Sequence, residues 1–372
     1  MIRMSSMLNK IQAVLSKTPA LKAKTIAAQL HADKAQVNKL LHDHQDIFVK
    51  DQEAFTWSLV SQAELRIELG DHRWLSAEHF ENALVATTSP LDSKCRSVIF
   101  VVAKDCKILL EALARLLALC NQLADAGKEV SIDFSAAKPT LNYLNRIGFF
   151  DLLRQGIKIL PRRPRVSAAI AYDGNNYGVV ELREIDHIAP NDEIPDLLRN
   201  SFVSCAGDQY SVAAFTVLSE LFGNVQEHSA STTAGFAALQ YYKAANHIQT
   251  VISDSGLGIV GTLMPVLKDR YPEVVQRIAE SSLEPGVVLL QEVFSGGGIS
   301  KVNDPSRGLG LKRSGELANK FNAIISVRQE NFEFKVRRNR RGIEFSHTLG
   351  LARISGTHIC FDFLLDPPSV SR

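Results

Sequence analysis

Ile248-Gln-Thr-Val-Ile-Ser-Asp254-Ser-Gly256-Leu-Gly258-Ile259 reads as a strand that ends in a carboxylate and two glycines. A carboxylate at a strand end can accept a hydrogen bond from an exocyclic amine. Glycines just after it let backbone approach a flat ring with no side chain in the way. Alone, Asp-x-Gly-x-Gly is also a common turn, so its neighbours along the chain decide how it is read.

Upstream, Ser211 to Ser229 has helical periodicity, with Val212, Phe215, Leu218, Leu221 and Phe222 as its apolar face. Its last part is Glu220-Leu-Phe-Gly-Asn224-Val-Gln-Glu-His228-Ser229. Glu220, Asn224 and His228 recur every four residues and form one polar stripe. The amide oxygen of Asn224 suits Mg²⁺, a hard cation that prefers oxygen. Glu220 can orient or deprotonate a nucleophile within hydrogen-bond reach. A solvent-facing stripe is the plain alternative.

Downstream, Ser295-Gly-Gly-Gly298-Ile-Ser-Lys301, running on to Pro305-Ser306, has the glycine content of a loop that opens and closes. It leads into Arg307-Gly308-Leu-Gly310-Leu311, after which Lys312 to Lys320 reads as helix. A glycine-rich turn at a helix N-terminus presents N–H groups to phosphate oxygens. Gly356-Thr357-His-Ile-Cys-Phe361-Asp-Phe is a terminal strand whose Thr357 hydroxyl offers a second contact to adenine. No Gly-x-x-x-x-Gly-Lys-Ser pattern competes as a P-loop.

An asparagine helix, Asp-x-Gly-x-Gly, Gly-x-Gly and a final Gly-Thr strand, in that order, resemble the GHKL ATPases over about residues 170–366. The His228-Ser229 pair resembles the anti-sigma-factor kinase branch. The resemblance implies an α/β sandwich, a mixed sheet on one side and helices on the other, with ATP between the helices and a lid. It implies Mg²⁺ on Asn224, adenine on Asp254 and Thr357, and Gly256 and Gly258 at the adenine-side turn. Gly308 and Gly310 would hold phosphates, and Glu220 would be the catalytic base. Arg307 joins as a phosphate contact from its position alone.

The rest of the chain reads as α/β modules. Residues 1–60 suggest three helices and a hairpin. Ile11, Val14 and Leu15 face inward from the first helix; Thr25 to Leu30 is the second. Asp33 caps Lys34 to His44, and Ile47–Val49 and Phe55–Leu59 are strands. That order resembles a winged helix-turn-helix, with Lys34, Gln36, Asn38 and Lys39 outward for DNA or RNA, or else a partner-docking or dimerising module. Residues 61–95 read as a polar connector. Residues 96–165 read strand Ser97–Val102, amphipathic helix Lys107–Asp125, strand Glu129–Phe134, helix Leu141–Leu153, then a basic linker or solvated edge. Asp133-Phe-Ser135 followed by Tyr143-Leu-Asn-Arg-Ile-Gly148 resembles the STAS domain of anti-sigma-factor antagonists. Ser135 and Thr140 are then the candidate phosphoacceptors. Residues 166–372 form the ATP module, where Tyr177–Arg183 should be an edge hairpin.

At 372 residues the chain exceeds one ordinary core. Its 45% hydrophobic and 22% charged content is that of a globular protein, and a net charge of +2 points to no partner. Five scattered cysteines fit free thiols in a reducing cytoplasm, and no stretch is apolar enough to span a bilayer. The expectation is a cytoplasmic Mg-ATP-binding regulator with no membrane partner, admitting a homodimer. Three activities fit: an ATP-hydrolysing conformational switch coupled to nucleic acid or protein, a serine/threonine kinase of the anti-sigma-factor type acting on an anti-sigma-antagonist-like (STAS-like) partner or on its own middle domain, and a non-catalytic ATP-sensing DNA-binding regulator.

Overall fold

Three helices and a hairpin close around Trp57: α1 (Ile2–Lys17), α2 (Ala23–Gln29), α3 (Lys34–Asp43), β1 (Phe48–Lys50) and β2 (Trp57–Leu59). The computed structural model describes the chain apart from residues 1, 19, 46, 52–53, 60–63, 71, 175, 187–190, 229–233, 297–298, 301–310, 313–322, 340–341 and 366–372. At a few further positions, Asn224, Gln226, Glu227 and His228 among them, it describes the backbone alone. Two compact units result: Met1–Leu65 with Lys94–Val98, and Arg66–Ser93 with Ile99–Arg372.

In the smaller unit, Asp33 Oδ2 accepts the Gln36 N–H at 3.0 Å and so starts α3. Val37, Leu40 and Leu41 face the core with Ile11, Leu15, Ile26 and Phe48, while Lys34, Gln36, Asn38 and Lys39 are exposed. The hairpin register pairs Phe48 with Leu59 and Lys50 with Trp57. His42 meets Trp57 edge-on, and the Lys50 ammonium lies over both Phe55 and Trp57.

The chain continues with β3 (Leu65–Leu69), β4 (Trp74–Leu75), α4 (Ala77–Val85), β5 (Ser97–Val102), β6 (Lys107–Ile108), α5 (Leu110–Asp125), β7 (Glu129–Asp133), α6 (Lys138–Arg146), α7 (Phe149–Leu152) and β8 (Lys158–Leu160). Strands β3-β5-β7-β8 form one sheet, with β7 and β8 parallel. The expected connector is therefore structured: it supplies a sheet strand and a helix whose N-cap Ser76 and His79 bond reciprocally. The expected helix over 141–153 is interrupted at Gly148, which adopts φ +81°. The basic linker contains β8, and Arg163 spends its guanidinium on the carbonyls of Phe150, Leu153 and Arg154 at the end of α7.

The C-terminal part adds α8 (Ala169–Tyr172), β9 (Val179–Ile185), α9 (Ile194–Ala206), α10 (Ser211–His228), β10 (Gly235–Tyr242), β11 (His247–Asp254), α11 (Gly258–Arg270), α12 (Pro272–Glu280), α13 (Pro285–Ser295), β12 (Ala323–Gln329), β13 (Phe332–Asn339), β14 (Gly342–Thr348) and β15 (Thr357–Leu364). Its seven-stranded sheet runs β14-β13-β12-β15-β11-β10-β9, and each neighbouring pair is antiparallel. The sheet is thus not mixed. Strand β9 is an edge but not half of a hairpin, because α9 and α10 intervene before its partner β10.

Alternation sorts the two faces of this sheet. Ile248 and Ile252, Ile325 and Val327, and Ile359, Phe361 and Phe363 pack against α9, α10, α11 and α13. The opposite face meets α5, which packs on β10, β11 and β15 on one side and on β7 and α4 on the other. Except for Glu111, Gln122, Ala124 and Asp125, every residue of α5 is buried. Lying between two layers, the amphipathic helix buries nearly its whole circumference, its polar Arg115 and Asn121 included.

Charge is buried at the same junction. Arg115 of α5 and Arg328 of β12 are 1% and 0% exposed and share the carboxylate of Glu81 from α4. Arg115 also pairs with Glu111 and Glu333, and Lys335 with Glu333. Burial works against the Arg115 charge, but Glu111, Glu333 and Glu81 outweigh it and raise its pKa. Burial likewise opposes ionisation of Glu333, yet Arg115 and Lys335 hold its carboxyl below the ordinary value. Among the described residues, no helix is long and apolar enough to cross a membrane.

Candidate functional site

Strands β11 and β15 bring the first two site residues together. Their antiparallel register sets Asp254 opposite Thr357. By alternation both belong to the face covered by α10 and α11. Asp254 is 6% and Thr357 5% exposed. Asp254 Oδ1 accepts the Gly256 N–H at 2.7 Å, which folds the chain back after the strand. The carboxylate is thereby fixed at a strand end with its turn wrapped round it.

The glycines are there for space. Gly258 has φ +69°, and a Cβ on it would lie 2.7 Å from Gln329 Oε1 and 3.0 Å from the Gly356 carbonyl. Gly356 has φ +95°, and its Cβ would overlap the Asp254 carbonyl. Asp254–Gly258 and Ser355–Thr357 are consequently pressed side by side.

Gln329, which the sequence reading missed, completes this floor. It is 1% exposed, donates from Nε2 to Thr357 Oγ1 at 2.8 Å and accepts the Val260 N–H at 3.2 Å. Thr357 Oγ1 also accepts the Ile259 N–H at 3.1 Å. The first free amides of α11 are thus capped by Thr357 and Gln329. With two donors on its oxygen, Thr357 keeps its own hydroxyl proton for donation. The only sequence sign of Gln329 is its place in an alternating strand.

Helix α10 reaches the same end of β11. Gly235 has no room for a side chain: a Cβ there would lie 2.5 Å from Val225 Cγ1 and 2.8 Å from the Ser253 carbonyl. Val225 follows Asn224 and Ser253 precedes Asp254, so the backbone at Asn224 lies at the Asp254 end of the strand. The Asn224 side chain is outside what is described. Glu220, one turn earlier, is half-buried. The inward stripe of α10 is Ala214, Val217, Leu218, Leu221, Phe222 and Val225. Val212 and Phe215 point outward, at 81% and 44% exposure, which corrects the expected apolar face. Arg307, Gly308 and Gly310 lie outside the described residues, as does Lys301. Leu311, just after them, is buried in the core of the helix-covered face.

A cleft of about 960 Å³ opens beside these loops. Gly256, Val260, Glu284 and Gln329 line it together with Gln122 and Arg154, but Asp254 and Thr357 do not. In the middle module, Thr140 is buried and donates its hydroxyl to the Cys106 carbonyl, whereas Ser135 is exposed. Among the described residues no group of three or more His, Cys, Asp or Glu side chains is arranged to hold a metal.

No protein-family model matches the chain, and no curated protein matches it.

Proposed function

We propose that this chain is a Mg-ATP-binding regulatory protein of the GHKL type, working as an ATP-hydrolysing conformational switch coupled to a nucleic-acid or protein partner. One observation carries the reading. A buried carboxylate, Asp254, stands opposite a buried hydroxyl, Thr357, at the end of paired strands, on the face where α10 packs. An acceptor beside a donor is complementary to the amine and adjacent ring nitrogen of adenine.

Among the described residues, Asp254 and Thr357 carry the acceptor and donor that the base needs. Asp254 would accept from the adenine amine and Thr357 would donate to the ring. Gly256 and Gly258 would form the adenine-side turn. Asn224 would supply an amide oxygen to Mg²⁺, and Arg307, Gly308 and Gly310 would hold phosphates. Bound Mg²⁺ supplies charge neutralisation at the phosphates. Glu220 would orient and deprotonate the attacking water. Lid closure would then bias the interface seen by a partner. The exposed Lys34, Gln36, Asn38 and Lys39 of α3 support a winged-helix role for the smaller unit in meeting DNA, RNA or protein.

A serine/threonine kinase of the anti-sigma-factor type is the second reading. The STAS-like module packs on the sheet face opposite Asp254 and Thr357, and its Thr140 hydroxyl is engaged. That leaves the exposed Ser135 of the middle module, or a separate STAS-like protein, as the acceptor.

Turnover of labelled ATP by wild type and Glu220→Gln tests the proposal. Free phosphate from wild type, falling at least about 100-fold in Glu220→Gln, supports the switch. Undiminished turnover in Glu220→Gln removes Glu220 from the chemistry, and stable phosphoprotein on an added STAS partner selects the kinase.

A further inference from the structure

Helix α5 belongs to the middle module, yet its last turn holds the floor of the candidate nucleotide site. Gln122 is the residue responsible. Its Oε1 accepts the Ser355 N–H at 2.8 Å, and its Nε2 donates to the Ser355 carbonyl at 2.8 Å and to Ser255 Oγ at 3.1 Å. One amide therefore pairs with both backbone groups of Ser355, as a neighbouring strand would, and reaches the other loop as well. Ser255 sits between Asp254 and Gly256, and Ser355 precedes Gly356 and Thr357.

The surroundings make this grip consequential. The two loops touch closely enough that Gly356 tolerates no side chain against the Asp254 carbonyl. A displacement of one is transmitted to the other, because such packing has no slack. The Ser355 carbonyl accepts a second bond from His358 Nε2 at 3.1 Å. Two residues before Ser355, Arg353 is tied to Asp92 Oδ1 at 2.8 Å and to Ser89 Oγ at 3.2 Å, so the loop is moored to the β3–β5 connection too. Helix α5 itself is buried on nearly all sides and anchored by Arg115. It has little freedom to yield independently.

We propose that Gln122 is a positioning residue for the nucleotide site: it sets the relative placement of Asp254 and Thr357, so that seating of the middle module and base binding are coupled. The inference rests on the nucleotide reading above and adds a route for regulation to it. A partner that shifts the last turn of α5 changes nucleotide affinity. By linkage, nucleotide changes affinity for that partner by the same factor.

The test compares full-length wild type, Gln122→Met and Ser255→Ala. Methionine keeps the length and apolar stem of glutamine but makes none of its three hydrogen bonds, so packing is conserved. Amide hydrogen exchange is read in two windows, 254–258 and 353–357, against β13 as an internal reference. In Gln122→Met, exchange in both windows rises about 10-fold or more while β13 is unchanged. ATP-Mg binding by calorimetry weakens about 10-fold in the same variant, within the usual range of couplings between sites. Ser255→Ala, which removes one of the three bonds, gives a smaller change in both readouts. Unchanged exchange in the two windows, or a uniform rise that includes β13, overturns the positioning role. A wild type that binds ATP while Gln122→Met binds it equally well overturns this inference alone. A wild type that binds no ATP overturns the nucleotide reading, and the coupling with it.

Discussion

Glu81→Gln is the substitution whose effect follows most directly from the packing. Glu81 Oε1 accepts from Arg115 Nη1 and Arg328 Nε, both at 2.8 Å, and Oε2 accepts from Arg328 Nη2 at 3.2 Å. Glutamine keeps one acceptor oxygen but turns an NH₂ toward a guanidinium N–H. It also removes the negative charge between two arginines that are 1% and 0% exposed. Arg115 retains Glu111 and Glu333, but Arg328 is left with the carbonyls of Gln329, Glu330 and Ala352. Breaking a buried ion pair from one side costs about 3–5 kcal/mol, so we expect a loss of about 4 kcal/mol. The two tryptophans divide between the units, Trp57 in the smaller and Trp74 in the larger. In a Trp57→Phe background, fluorescence during urea unfolding follows the larger unit. At a slope of about 3 kcal/mol per molar, its midpoint falls by more than about 1 M. A loss below about 1 kcal/mol would refute the reasoning, because it would mean that Arg115 and Arg328 do not depend on the shared carboxylate.

Acid should act through His358. Burial, with Arg328 and Arg115 nearby, lowers its pKa from 6.5 to about 3, so the folded ring stays neutral. Above pH 6.5 the group is silent. Below it the unfolded chain takes up a proton that the folded one refuses, and stability falls progressively until about pH 3. Between pH 7 and pH 5 that amounts to ~2 kcal/mol, which His358→Gln should abolish in paired urea titrations. Equal pH slopes for the two proteins would contradict this. Gly356→Ala should lower stability by at least about 2 kcal/mol more than Gly350→Ala in calorimetric melts. Both have positive φ, but a Cβ at Gly350 meets nothing within 4 Å, whereas at Gly356 it strikes the Asp254 carbonyl. Similar losses for the two would remove the close approach of the two loops from the account.

The elements that sequence made legible are those written in local signals. Asp33 capping α3, the strand ending at Asp254, the Ser211–His228 helix and the 97–102 and 129–133 strands all have caps, breakers or periodicity within a few residues. What stayed hidden depends on partners far along the chain. Residues 61–95 read as a polar connector, yet Glu81 within them is buried and its partners lie 34 and 247 positions away. Periodicity located α5, but not the burial of Arg115 against Glu333, 218 positions on. Gln122 and Gln329 carry no motif at all, and an amide becomes informative only once its partners are known. Within α10, periodicity located the helix, but the buried stripe runs through Ala214, Val217 and Leu218 and leaves Val212 and Phe215 on the outer side.

The central claim is that Asp254 and Thr357 form the adenine end of a nucleotide site. Calorimetric titration of the full chain with ATP and Mg²⁺, repeated on Asp254→Ala and Asn224→Ala, tests it most directly. Saturable binding by wild type is predicted. Asp254→Ala should bind at least about 100-fold more weakly, and the Mg²⁺ dependence of affinity should disappear in Asn224→Ala. Absence of binding to wild type, or unchanged affinity in Asp254→Ala, would contradict it.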